Sequence, residues 1–169
     1  DRNQPELGIK ERGGPEALVE IKGLIGVEAR ELTVGNLEGY VELWAKWPSQ
    51  GLKLENQRMI AVHKERWLRS FDTTSGALRE LAIADRNKAF GSTQSLPTRG
   101  CNVEFTKLLV NQQVWWTFGI EAFGALETVG SDLRFVALEL TSRGVPDFVA
   151  GFAASYPVWL SAHYQAGTC

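Results

Sequence analysis

Residues 7–23 read LGIKERGGPEALVEIKG, and the alternation in this stretch sets the frame for the rest of the chain. In an extended strand, side chains two apart share a face. Lys10 and Arg12 therefore share one face of a first strand, Leu7 to Arg12, while Leu7, Ile9 and Glu11 share the other. Gly13-Gly14-Pro15 is a strong turn signal. Ala17 to Lys22 then resumes the alternation, with Glu20 and Lys22 opposite Val19 and Ile21. Two such runs around a Gly-Pro turn predict a β-hairpin that carries charge on one face.

The same rule works outward. Segment Gly26–Asn36 is polar and weakly patterned, and is read as a connection. Tyr40 to Trp47 predicts a strand ended by Pro48 and a polar loop through Gln57, with Glu42, Trp44 and Lys46 opposite Val41 and Leu43. Met59 to Phe71 predicts a longer strand in which Lys64 and Arg66 share a face that begins with Ile60 and Val62. Cys101 to Leu109 and Val114 to Phe123 form a second predicted hairpin, turned around Asn111-Gln112-Gln113. There Glu104 sits with Asn102 and Thr106, and Glu121 with Thr117 and Gly119. Between the strands, residues 72–100 are rich in Ser, Thr, Gly and charge, and read as a mobile insertion with a short helix over Ala77–Ala89.

After Phe123 the period changes. Ser131 is the expected N-cap of a helix carrying Leu133, Val136, Ala137 and Leu140 on one face, stopped by Arg143-Gly144. Pro146 suits the first turn of another helix lined by Phe148, Phe152 and Ala153. Tyr156-Pro157 is expected to interrupt it, and Val158–Gln165 to add a last turn or two. Strands over 7–123 followed by a helical part over 131–165 predict an α+β fold, and 169 residues predict a single domain.

Composition narrows the function classes. Lys and Arg number 18 against 20 Asp and Glu, so a net charge of −2 argues against dedicated nucleic-acid binding. No window approaches 18 uninterrupted apolar residues and no basic-then-apolar opening is visible. The expectation is a cytoplasmic protein without a membrane partner. Cys101 and Cys169 make neither a disulfide framework nor a zinc site, which suits reduced thiols. His63 has the opposite parity to Lys64 and Arg66, and no Ser-His-Asp spacing or phosphate-loop glycine motif occurs. Most of the six Trp residues alternate away from the cations and are expected to pack, with Tyr156 and Trp159 clamping the last helix.

Six candidate strands thus each carry charge on one face. Cations dominate the early strands, and bare carboxylates occupy the last two. One arrangement is an antiparallel, tunnel-like β-barrel with a polar charged lumen and the C-terminal helices packed outside. Lys and Arg would give such a lumen charge-assisted hydrogen bonds to phosphate oxygens, and Glu would give it the hard oxygen ligands that Mg²⁺ or Mn²⁺ prefers. The other arrangement is a plain sheet with one solvated face, used for contacts with other proteins.

The order LGIKERGG, VEIKG, VELWAKW, VHKERWLRSF, CNVEFTKL, WWTFGIEAFG resembles the CYTH, or triphosphate tunnel metalloenzyme, superfamily over roughly Leu7 to Phe123. The resemblance implies phosphate binding by Lys10, Arg12, Lys22, Lys64 and Arg66. It implies metal ligation by Glu104 and Glu121, with Glu20 and Glu42 as further candidates. The partner would be a phosphorylated small molecule or polyphosphate, and the chemistry divalent-metal-dependent triphosphate hydrolysis by metal-assisted attack of water. The family's first strand, of pattern Glu-x-Glu-x-Lys, does not occur in this sequence, and the resemblance puts it upstream of Asp1. A protein on this fold without those carboxylates would be a non-catalytic binder or regulatory module.

Overall fold

Seven strands and two helices make up the regular structure among the residues that the computed structural model describes, which are 5–12, 18–49, 51–54, 59–82, 97–144 and 153–164. They are β1 (Leu7–Arg12), β2 (Leu18–Val34), β3 (Leu37–Ser49), β4 (Val62–Asp72), β5 (Arg79–Leu81), β6 (Gly100–Val110), β7 (Gln113–Phe123), α1 (Leu126–Ser142) and α2 (Tyr156–His163). The strands form two antiparallel sheets, ordered β1-β2-β3 and β5-β4-β6-β7, so the class is α+β as expected. The described chain groups into two compact units, one holding the first sheet with α2 and the other the second sheet with α1.

In the first unit, β1 and β2 pair from Leu7↔Gly23 to Arg12↔Leu18, which is the predicted hairpin. Its turn, Gly13-Gly14-Pro15, lies outside the described residues. Segment 26–36, expected to be a connection, is instead the continuation of β2 to Val34 and a two-residue turn at Gly35-Asn36. A Cβ at Gly23 would meet the Trp47 ring at 3.1 Å, and one at Gly26 would meet Leu43 at 3.7 Å. Trp47 and Leu43 share a parity on β3, whereas Gly23 and Gly26 do not share one on β2. The pairing therefore gains a residue between them, as at a β-bulge, and that change of phase erases the period of two from the sequence. Strand β3 runs past Pro48 to Ser49, and it is the last strand of its sheet among the described residues, the position where a strand tolerates a proline.

In the second unit, β6 pairs β4 from Val62↔Val110 to Asp72↔Gly100, and β7 from Gly100↔Phe123 to Val110↔Gln113. Gly100 is required by close approach: a Cβ there would lie 2.1 Å from the Phe71 carbonyl oxygen. Helix α1 lays Val136 and Leu140 on Phe71, Cys101 and Val103, with Leu78, Phe118, Ile120 and Ala122 packed around them. Arg99 fixes the helix to the start of β6 by donating to both Asp132 carboxylate oxygens at 2.6 and 2.7 Å. Asp132 is only 3% exposed, so the charge-assisted pair satisfies a group that could not stay buried alone.

Three helix and insertion expectations are corrected. Where a helix over Ala77–Ala89 was expected, Arg79–Leu81 forms β5 against Ser70–Asp72, and residues 83–89 lie outside the described residues. Cross-strand pairs outweigh the helical spacing of Leu78 and Leu81: Arg79 meets Asp72 at 2.9 Å, and Arg69 meets Glu80 at 2.6 Å. Helix α1 begins at Leu126 after the N-cap Ala125, not at Ser131, whose hydroxyl donates to the Thr128 carbonyl inside the helix. Its first residue is 64% exposed, so apolar periodicity could not mark the start. The stop at Arg143-Gly144 is as expected, with Gly144 at φ 79°. Tyr156-Pro157 opens α2 instead of interrupting a helix, since proline at the first turn removes only an N–H without a helical partner. The expected helix at Pro146, with Phe148 and Phe152, lies outside the described residues.

Candidate functional site

Register brings the charged side chains of the first sheet together. Lys10 is directly opposite Glu20, and Gly8 opposite Lys22, so Lys10, Glu20 and Lys22 share a face. The Lys10 ammonium meets Glu20 Oε1 at 2.5 Å, with the Glu20 side chain 11% exposed. Lys46 on β3 joins them. Its ammonium is pushed down from the ordinary lysine value to about 8, first by burial and then by the charge of Lys22. Glu20 pulls in the other direction and Lys10 adds a further, smaller repulsion. Three ammonium groups and one carboxylate make this foursome locally cationic in a chain whose net charge is −2. An added anion would relieve the repulsion that loosens the Lys46 proton.

Glu42 and Trp44 share the Lys46 parity on β3, as predicted, and the Trp44 indole donates to Glu42 Oε2 at 2.9 Å. The Arg12 side chain lies outside the described residues. Helix α2 also reaches this face: a Cβ at Gly8 would lie 3.2 Å from Pro157 Cγ and 3.9 Å from Lys22 Cβ. Of the C-terminal helices, then, α1 covers an apolar face as expected, while α2 abuts the charged one through the space that Gly8 leaves. Trp159 of α2 is 8% exposed and edge-on to Tyr156 and Tyr164, which begin and follow the same helix.

The second sheet gathers the remaining predicted residues on its own face. Lys64 and Arg66 on β4 point the same way as Glu104 and Thr106 on β6 and Thr117 and Glu121 on β7. Glu104 is opposite Gly119, and Glu121 opposite Asn102, so the two carboxylates sit on a diagonal. Arg66 Nε meets Glu104 Oε1 at 2.9 Å, and the Ser70 hydroxyl donates to Asn102 Oδ1 at 2.8 Å.

A divalent cation needs several converging oxygens. Of the four candidate carboxylates, Glu20 meets Lys10, Glu104 meets Arg66, and Glu42 accepts from Trp44. Among the described residues, no three His, Cys, Asp or Glu side chains are placed to hold a metal ion. Cys101 is buried, with a thiol pushed up to about 12 by burial and then by Asp132, so it is held protonated and is no nucleophile.

Sequence reasoning put Lys46 on the right face but did not single it out. Its approach to Lys10 and Lys22 depends on β3 lying beside β2 and on the phase change in that pairing, neither of which a single-strand pattern carries. Trp67 and Trp116, expected to pack, are instead 48% and 53% exposed.

What the chain itself defines is an α+β protein of two antiparallel sheets, each bearing a charged face, and among the described residues no helix is long and apolar enough to cross a membrane. Comparison with protein-family models, with curated proteins and with solved structures gives no match.

Proposed function

We propose that this chain binds a phosphorylated anion, a triphosphate or polyphosphate, on the lysine face of its first sheet. The observation that carries the proposal is the crowding of Lys10, Lys22 and Lys46 around Glu20, with the Lys46 ammonium lowered to about 8. A chain of phosphates offers several anionic oxygens at once, and so engages several ammonium groups where a monovalent ion engages one. The strand order that resembles the triphosphate tunnel superfamily supports the same ligand. In its full form the proposal is a cytoplasmic protein with a closed tunnel barrel, in which Arg12, Lys64 and Arg66 meet the same phosphates and Glu104 and Glu121 lie near the cation.

Binding is the conclusion, and hydrolysis with Mg²⁺ or Mn²⁺ is the chemistry that the resemblance adds. Mg²⁺ is commonly held by one or two carboxylates plus substrate phosphates, so it would enter with the ligand. The binder reading is favoured by the carboxylates Glu20, Glu42 and Glu104, each already met by Lys10, Trp44 or Arg66.

Thermal unfolding tests the proposal. A ligand specific to the folded state stabilises it by about 2.7 kcal/mol at a hundred times its Kd. At roughly 2–4 °C per kcal/mol, tripolyphosphate with Mg²⁺ should raise Tm by roughly 5–10 °C. Sulfate at equal ionic strength should do much less, and Lys22→Gln with Lys46→Gln should remove the shift. No shift in the intact protein overturns the proposal. Phosphate release on longer incubation separates a hydrolase from a binder.

A further inference from the structure

The face of the second sheet that points away from Lys64 and Arg66 carries most of the sheet's aromatic and aliphatic side chains, with His63, Glu65, Arg69 and Lys107 set among them, and α1 covers only part of it. Near the helix lie Phe71, Cys101 and Val103, each no more than 6% exposed. Toward the β6–β7 turn the same face carries Trp67, Phe105 and Trp116, exposed by 48%, 40% and 53%. Their rings form one group: Phe105 stacks on Trp116 at 5.0 Å between centroids, Trp67 stacks on Trp116 at 5.9 Å, and Trp67 lies 6.1 Å from Phe105. Leu109 and Val114, directly opposite each other on β6 and β7, continue the patch and are 39% and 53% exposed. Between these two apolar rows lies the row Glu65, Lys107 and Trp116.

We propose that this aromatic face is the interface of a two-fold dimer of the chain. Aromatic side chains carry 150–250 Å² each, so five half-exposed large residues present roughly 400 Å² of apolar surface. A standard interface covers about 800 Å² per partner, a little over half of it apolar, and the patch nearly supplies that apolar share. The charges inside it select the occupant. Lys107 and Glu65 are 3.9 Å apart, a loose contact between side chains 42% and 63% exposed. A patch with one charge of each sign is complementary to itself, because a two-fold axis lays Glu65 of one copy against Lys107 of the other. A patch of one sign would call for an oppositely charged partner. This inference is independent of the anion site, since all of its residues lie on the opposite face from Lys64 and Arg66.

Sedimentation velocity over a concentration series reaching about 100 µM, a range that captures micromolar dissociation constants, tests it. The intact chain should sediment as a dimer at the upper end. Trp116→Lys should sediment as a monomer throughout, with unchanged far-ultraviolet circular dichroism. Glu65→Lys should also be monomeric, and adding Lys107→Glu to it should restore the dimer, because the exchanged pair is again complementary. A monomer at the highest concentration overturns the proposal. So does a dimer that survives both Trp116→Lys and Glu65→Lys, or a monomeric chain that places these tryptophans in phosphatidylcholine vesicles.

Discussion

Lys46 has a proton affinity that sets a testable pH dependence. Its ammonium titrates near 8 in the folded chain, against 10.5 for an ordinary lysine. Below about pH 8 both states are protonated, and the folded state carries the full cost of a partly desolvated charge beside Lys22. Between about 8 and 10 the unfolded chain binds the proton more tightly, so this group's destabilising contribution fades as pH rises. Lys46→Gln should therefore melt at a higher temperature than the intact chain at pH 7, with the gap closing toward pH 10. Paired melting curves at several pH values check this, and a gap that does not change with pH contradicts it. Alternation over residues 7–23 put Lys10 and Glu20 each on the charged side of its strand, and the register of β1 and β2 then sets them opposite each other. The place of Lys46 was not legible in this way, since it needs a third strand and a bulge.

At the scale of elements, period-two alternation and turn residues located β1, β4, β6 and β7 to within a few residues, and the alternation is clearest in β7, where Val114, Trp116, Phe118, Ile120 and Ala122 share one side. It failed where the period is interrupted, in β2 beyond Gly23, and where a terminus is solvated, at Leu126. It also could not say how far a helix covers an apolar face. Trp67 and Trp116 lie on the side that hydrophobicity assigned to packing, yet α1 does not cover them. The β6–β7 turn gives an element-level prediction. Asn111 and Gln112 have φ of 46° and 66°, the positive pair of a two-residue hairpin turn, and Gln carries a Cβ into a region that glycine enters freely. Gln112→Gly should stabilise the chain by about 0.5–1 kcal/mol, since left-handed backbone costs a residue with a Cβ about that much or more. Urea unfolding that shows an unchanged or lower midpoint contradicts that reading of the turn.

For the whole molecule, the central claim is that a net-negative chain holds a local cationic face for a phosphorylated anion. Calorimetric titration of tripolyphosphate near pH 8, in two buffers of different ionisation enthalpy, tests it most directly. An anion seated among Lys10, Lys22 and Lys46 offsets the repulsion that lowered the Lys46 proton affinity, so binding must draw a proton onto that amine. With about half of the Lys46 amines deprotonated at that pH, the uptake should approach roughly half a proton per ligand. Subtracting the same titration of Lys46→Gln cancels the protonation of tripolyphosphate itself. The account predicts saturable binding in the intact chain and a proton uptake that Lys46→Gln lacks. Absence of binding heat, or binding with the same proton count in both proteins, would contradict it.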